Sequence, residues 1–157
     1  MVLIHGANGQ GKSNLIEALY MLAIAKSLRA STDKELVRRQ SLNGDSHAHV
    51  SAAVQRRSGQ TRVQVDFKVG NAGSQDKLDV SEQTPIEAIT VQKLVRVNGA
   101  PRRASELVGE VNAVVFSAQD LELVFGSPST RRRYLDILIS QLDRQYLRSV
   151  QRYQKVV

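Results

Sequence analysis

The sequence has 157 residues, 41% of them hydrophobic, enough for one domain with a buried core and too many for a wholly disordered chain. It has no cysteine, which excludes disulfides and thiolate metal sites, and its longest apolar run, Ala18 to Ala25, is far too short to span a bilayer. A formal net charge of +7, from 22 Lys and Arg against 15 Asp and Glu, points to polyanionic partners, chiefly nucleic acid or an anionic surface.

Met1 to Ile4 is apolar and ends at Gly6, which predicts the end of a buried strand running into a glycine loop. No basic leader precedes it, so no signal peptide is expected and the chain reads as soluble and cytoplasmic. Ser13 to Ala25 is predicted to be a helix with Leu15, Ile16, Leu19, Leu22 and Ala23 on one apolar face. Lys26 to Gly44 is polar and basic, with a short helix expected over Asp33 to Arg39. A β meander should follow: His47 to Val54, a turn at Ser58-Gly59, then Thr61 to Val69 with Val63, Val65, Phe67 and Val69 on one face. After a polar loop from Gly70 to Gln75, Lys93 to Val97 reads as a strand stopped by Asn98-Gly99. Ser105 should open a short helix ending near Gly109, and Val111 to Phe116 reads as a buried strand. Ser127-Pro128 is a strong helix start, a serine N-cap with proline at the first helical position. That helix should run to about Gln141 and bury Tyr134, Leu135, Leu138 and Leu142, with a second helical stretch over Asp143 to Val157. There are no internal repeats or low-complexity tracts.

Gly6-Ala7-Asn8-Gly9-Gln10-Gly11-Lys12-Ser13 fits G-x-x-x-x-G-K-[ST] throughout. Each position has a reason. Consecutive backbone N–H groups must point inward around a phosphate, and glycines allow the dihedrals and leave room for the oxygens. The helix that follows adds its positive dipole end. Lys12 is the group to reach the β- and γ-phosphates, and the Ser13 hydroxyl is the expected Mg²⁺ ligand. Chance alone would produce the pattern in about one chain in two hundred of this length. Strand before and helix after are the context such a loop requires. The motif names a nucleotide triphosphate fold but not a function, since kinases, GTPases, transport ATPases and repair ATPases all carry it.

The residues after the loop narrow the field. Gly11-Lys-Ser-Asn-Leu-Ile-Glu-Ala-Leu19 resembles the ABC-type ATPase heads of the SMC, RecN and RecF families, in which an asparagine such as Asn14 habitually follows the serine. Lys26-Ser-Leu-Arg29, Val95 to Gly109, and the long stretch Phe116 to Asp136 (FSAQDLELVFGSPSTRRRYLD) resemble the RecF family in particular, so the likeness covers nearly the whole chain. It implies an α/β P-loop NTPase fold of ABC-head type, a mixed sheet with an antiparallel β meander and flanking helices, present as an incomplete domain. It divides the chain into residues 1–25 as the strand–loop–helix of the P-loop, 45–116 as a β-rich subdomain and 127–157 as the start of a helical arm. It implies ATP and Mg²⁺ as cofactors, with Gly6, Ala7, Asn8, Gly9, Gln10, Gly11, Lys12, Ser13 and Asn14 at the nucleotide. It also implies duplex DNA near single-strand gaps, RecR and RecO as partners in loading RecA, and an ATP-dependent homodimer of the whole protein. Gln119 takes either the Q-loop position near Mg²⁺ and the attacking water or the place of an ordinary polar residue at a strand end. Asp120 either faces the metal or caps the next helix.

No apolar strand in this sequence ends in paired acids, and no LSxGQ-like signature is found. The chain is therefore expected to be a partial head that hydrolyses ATP poorly by itself, whatever the weak DNA-dependent activity of its parent. Arg102-Arg103, beside a hairpin turn, and Arg131-Arg132-Arg133, in the first turn of a helix where positive charge opposes the dipole, are candidate DNA contacts; structural pairing or solvation is the competing reading. Aromatic residues are only 4% and do not interleave with the basic runs, which disfavours a base-stacking platform for single strands. His47 and His49 supply half a zinc site with no third ligand in view, so a solvated strand face is favoured, and His5 either touches nucleotide or packs on backbone. Two other classes stay open. One is a different P-loop NTPase, SMC- or RecN-like or a small-molecule kinase. The other is a non-catalytic fragment that binds DNA through its basic surface.

Overall fold

A computed structural model describes residues 1–37, 47–57, 59–71 and 89–156, with the side chains at 71, 89, 118 and 119 outside the description. The Arg38-Arg39 pair, Ser58 and most of the loop from Gly70 to Gln75 also lie outside the described residues. The chain divides into two compact units, Ser27–Arg103 and Met1–Lys26 together with Ala104–Val157.

The Ser27–Arg103 unit is built on a four-stranded antiparallel sheet in the order β1 (His47–Arg56), β2 (Gly59–Asn71), β3 (Ile89–Val97), β4 (Ala100–Arg102). Period-two alternation sets its faces. Val63, Val65 and Phe67 of β2 are buried together with Val95 of β3 and Val37, while Val50, Val65 and Val95 stand opposite one another across three strands. Branched and aromatic side chains in such cross-strand rows are the unit of sheet stabilisation. The meander matches the sequence expectation, with β1 and β3 each longer than their apolar cores suggested. Asn98 (φ 51°) and Gly99 (φ 80°) form the two-residue hairpin between β3 and β4, where left-handed dihedrals match the strand twist. Asn98 also extends the ladder to β2, since Arg62 N–H donates to its Oδ1 at 2.8 Å and its own N–H donates to the Arg62 carbonyl at 2.8 Å.

Beside the sheet, Asp33–Leu36 is one 3-10 turn. The Thr32 N–H and hydroxyl both donate to Glu35 Oε1, and the Thr32 hydroxyl holds the Glu35 carboxyl below its usual range. Asp33 receives Lys93 Nζ at 2.8 Å, and the same ammonium lies 5.8 Å from the centre of the Phe67 ring. The Lys26-Ser-Leu-Arg29 segment turns on Ser27, whose Oγ accepts from the N–H groups of Arg29 and Ala30.

The other unit is helical in its regular parts: α1 (Lys12–Ile24), α2 (Ala104–Leu107), α3 (Glu122–Phe125), α4 (Pro128–Leu142) and α5 (Arg144–Val156). α1 packs on α2 and α4, and α5 packs on α4. The core gathers Met21, Leu22, Ala23, Ile24 and Ala25 with Leu107 and Val108. Two expected strands are absent. Met1 to Ile4 and Val111 to Phe116 carry no strand, and Met1, Val2, Leu3, Ile4, Val114 and Phe116 are exposed. A strand exists only with a neighbour to receive its hydrogen bonds, and among the described residues the one pairing here is an isolated parallel bridge between Val108 and Val111. Among the described residues the sheet is accordingly antiparallel rather than mixed. For the same reason the predicted apolar face of α1 is only partly buried. Leu15, Ile16 and Leu19 are exposed, and burial shifts to the C-terminal turns.

α4 begins as predicted: the Ser127 side chain accepts from the Thr130 N–H, with Pro128 inside the first turn. Its buried residues are not those expected. Leu135 and Leu142 are exposed, Tyr134 and Leu138 half-buried, and Ser140 and Gln141 buried. The reason is a backbone clamp. Gln141 Oε1 accepts from the Ala113 N–H at 2.8 Å and its Nε2 donates to the Ala113 carbonyl at 3.1 Å, so a side-chain amide replaces a strand partner for the 111–116 run. Gly109 (φ 88°) makes the approach possible, since a Cβ there would lie 3.0 Å from the Gln141 carbonyl oxygen. Asp143 ends α4 and caps α5, its Oδ1 accepting from the N–H groups of Gln145 and Tyr146. The Tyr146 hydroxyl then donates to Asp136 at 2.6 Å and ties α5 back to α4.

Candidate nucleotide site

The glycine loop leads directly into α1. Gly9 (φ 81°) and Gly11 (φ 82°) take left-handed dihedrals. A Cβ at either would meet nothing within 4 Å, so the requirement is conformational rather than steric. Gly11 is the N-cap of α1, no side chain caps that end and no acid lies in its first turn. The helix therefore presents unpaired backbone donors and its positive dipole end. Lys12 folds back over the loop, donating from Nζ to the carbonyls of Gly6 at 2.8 Å and Ala7 at 2.7 Å. Its cation is held at the loop by neutral acceptors, without a carboxylate. Ser13 and Asn14 follow on the exposed side of the first turn. This donor set fits a nucleotide triphosphate. Backbone N–H groups and the Lys12 ammonium would hold phosphate oxygens, and the Ser13 hydroxyl would supply an oxygen ligand to Mg²⁺. His5 is exposed beside the loop.

The other candidates sit as follows. Gln119 lies in the 3-10 turn Ala118–Leu121, and its side chain is outside the described residues. Asp120 caps that turn, accepting from the Ser117 N–H. Burial raises the Tyr20 phenol above its ordinary value, Arg133 opposes this, and Asp120 and Tyr134 add to it. Tyr20 of α1 is thus within electrostatic reach of the 118–121 turn and of the start of α4. Arg131, Arg132 and Arg133 are all exposed, and Arg131 bends towards the carbonyls of Gly126 at 3.3 Å and Val124 at 3.5 Å, so it braces the end of α3. Arg102 ends β4 and Arg103 follows it, both exposed. On the sheet, His49 Nδ1 lies 2.6 Å from Asp66, which also receives Arg96 at 2.6 Å. Among the described residues no group of three metal-ligating side chains gathers, around the histidines or elsewhere. Sequence reading missed the Gln141 clamp and the Tyr146–Asp136 bond. Both join residues whose pairing no local spacing signals.

No protein-family model matches the chain. It is 42% identical over 155 residues to the DNA replication and repair protein RecF of Thermomicrobium roseum, an alignment covering 97% of this chain and 35% of that protein. Over its own length the chain is a RecF homologue. The RecF of Chloroflexus aurantiacus is 40% identical over 158 residues and that of Chloroflexus aggregans 39% over 159, each alignment covering 99% of this chain and 38% of the relative. The chain thus spans a little over a third of the length of the RecF relatives it matches. Among the described residues no helix is long and apolar enough to cross a membrane.

Proposed function

We propose that this chain is the ATP- and Mg²⁺-binding part of a RecF-type DNA repair protein, a partial P-loop head of the ABC class. The observation that carries the reading is the Gly6–Ser13 loop. Its glycines take left-handed dihedrals, its lysine is held at the loop carbonyls, and it opens directly onto an uncapped helix N-terminus, all within a RecF-homologous sequence. Gly6 to Asn14 would hold the triphosphate, with Lys12 to neutralise phosphate oxygens and the Ser13 hydroxyl to serve as a Mg²⁺ ligand. Bound Mg²⁺ offsets phosphate charge. The protein's own contribution is to position the triphosphate and exclude the wrong geometry. Gln119, in the 118–121 turn, is assigned the Q-loop role in this reading.

For the whole protein we infer ATP-dependent dimerisation, binding of duplex DNA near single-strand gaps, and action with RecR and RecO to load RecA in the cytoplasm. The basic composition supports a phosphate-directed DNA contact, with Arg102, Arg103, Arg132 and Arg133 as exposed candidates. This chain by itself is expected to bind nucleotide and hydrolyse it poorly. Titration with a fluorescent ATP analogue and Mg²⁺ tests the reading. The wild-type chain should bind and Lys12→Ala should lose most of that binding. A metabolite accepting phosphate from ATP in the presence of this chain would instead assign it to the kinases.

A further inference from the structure

α5 contains four basic residues and no acid: Arg144, Arg148, Arg152 and Lys155. At a helical period of 3.6 residues, these positions fall within a stripe about 80° wide. Arg144 is taken by Glu110 at 2.6 Å. Arg148, Arg152 and Lys155 are exposed and form no ion pair with any described residue. The opposite face carries Tyr146, Leu147 and Val150, all half-buried, and this is the side on which Tyr146 bonds to Asp136 of α4. The Tyr146–Val150 part of the apolar face is therefore committed within the protein, Tyr153 further along it is exposed, and the cationic face is left outward.

That division decides the kind of partner. A basic amphipathic helix binds a bilayer by sinking its apolar face between the headgroups, and here that face packs on α4. What remains is a row of cations suited to phosphate backbone rather than to bases, with the exposed Tyr153 about 100° round the helix from Arg152. From Arg148 to Lys155 the helix rises about 10 Å, the axial length of roughly three phosphates on one DNA strand. We propose that the Arg148–Arg152–Lys155 stripe of α5 is a contact for the phosphate backbone of duplex DNA that grips without reading sequence. The proposal rests on the DNA-binding reading above and adds to it a site on a different helix from the arginines singled out by sequence.

The test is fluorescence anisotropy of a labelled duplex with the whole chain, titrated with KCl, for wild type and for the triple variant Arg148→Gln, Arg152→Gln, Lys155→Gln. Each phosphate contact contributes about 0.9 to the slope of log Kobs against log salt, so the triple variant should lose roughly 2 to 3 from that slope, equally for unrelated duplex sequences. Exchanging the same positions between Arg and Lys should keep the slope. If the triple variant melts below wild type by circular dichroism, the single changes Arg148→Gln and Arg152→Gln carry the test, each losing about 0.9. Wild-type slope and affinity in the variants would overturn the stripe and leave the DNA-binding reading standing. No duplex binding by the wild-type chain even at low salt would overturn both. Binding to phosphatidylserine vesicles but not to duplex, lost in the triple variant, would reassign the stripe to a membrane surface.

Discussion

Replacing Gln141 by Leu removes the amide that stands in for a strand partner beside Ala113. Two hydrogen bonds are lost, one from the Ala113 N–H at 2.8 Å and one to its carbonyl at 3.1 Å. Each is worth about 0.5–1.5 kcal/mol net, and leucine is close enough in size to leave no large cavity. The expected cost is about 1–3 kcal/mol. A companion variant, Gln141→Glu, keeps an acceptor for the Ala113 N–H but sets a carboxylate oxygen against the Ala113 carbonyl. Its deficit should shrink on acidification, because the protonated acid donates where the amide did. Urea unfolding followed by circular dichroism gives the stability, and exchange of the Ala113 amide with deuterium gives the local effect. In Gln141→Leu the midpoint should fall with the m-value unchanged, and Ala113 should lose protection. A variant within about 0.5 kcal/mol of wild type and with Ala113 still protected would refute the argument that the clamp holds the 111–116 run.

Phe67→Ala should cost about 3–5 kcal/mol, because Phe67 is 2% exposed at the centre of the sheet's buried face; urea unfolding measures it. Asn98→Ala should cost about 1–3 kcal/mol by losing both a residue tolerant of φ 51° and the bond from Arg62, and Asn98→Gly should recover part of it because glycine keeps the dihedral. The bond from Tyr146 to Asp136 raises that phenol above its ordinary value of 10.0. A raised folded value means stabilisation that is complete below pH 10 and lost as pH rises through the folded value. Phenolate absorbance should therefore show late-titrating tyrosine signal from Tyr146 together with Tyr20, and Tyr146→Phe should remove the Tyr146 share of it while leaving that of Tyr20.

Elements whose signal is local were legible in the sequence. The meander follows from alternating valines on β2 and from the Asn98-Gly99 turn, and α4 from Ser127-Pro128. The glycine loop was legible for the same reason, since its chemistry lies in eight consecutive residues. What the sequence did not disclose depends on distant partners. Met1 to Ile4 and Val111 to Phe116 have strand composition, yet a strand is made by the neighbour that bonds to it, and none of the described residues takes that place beyond one bridge. The burial of Gln141 in place of Leu135 and Leu142 has the same origin, because a polar side chain met a backbone that needed both a donor and an acceptor. For Arg131, periodicity and charge predict a cation in the first turn of α4. Only the fold shows it turned towards the carbonyls of Val124 and Gly126.

If Gly6 to Ser13 form a ready phosphate cradle, amide NMR of the loop will register it. Adding ATP with Mg²⁺ should shift the backbone N–H signals of Gly9, Gly11, Lys12 and Ser13 in the wild-type chain. AMP should leave them nearly unmoved, since it lacks the β- and γ-phosphates, and Lys12→Ala should blunt the response to ATP. Equal shifts with AMP and ATP, or none in a folded wild-type chain, would mean that the loop is no triphosphate cradle.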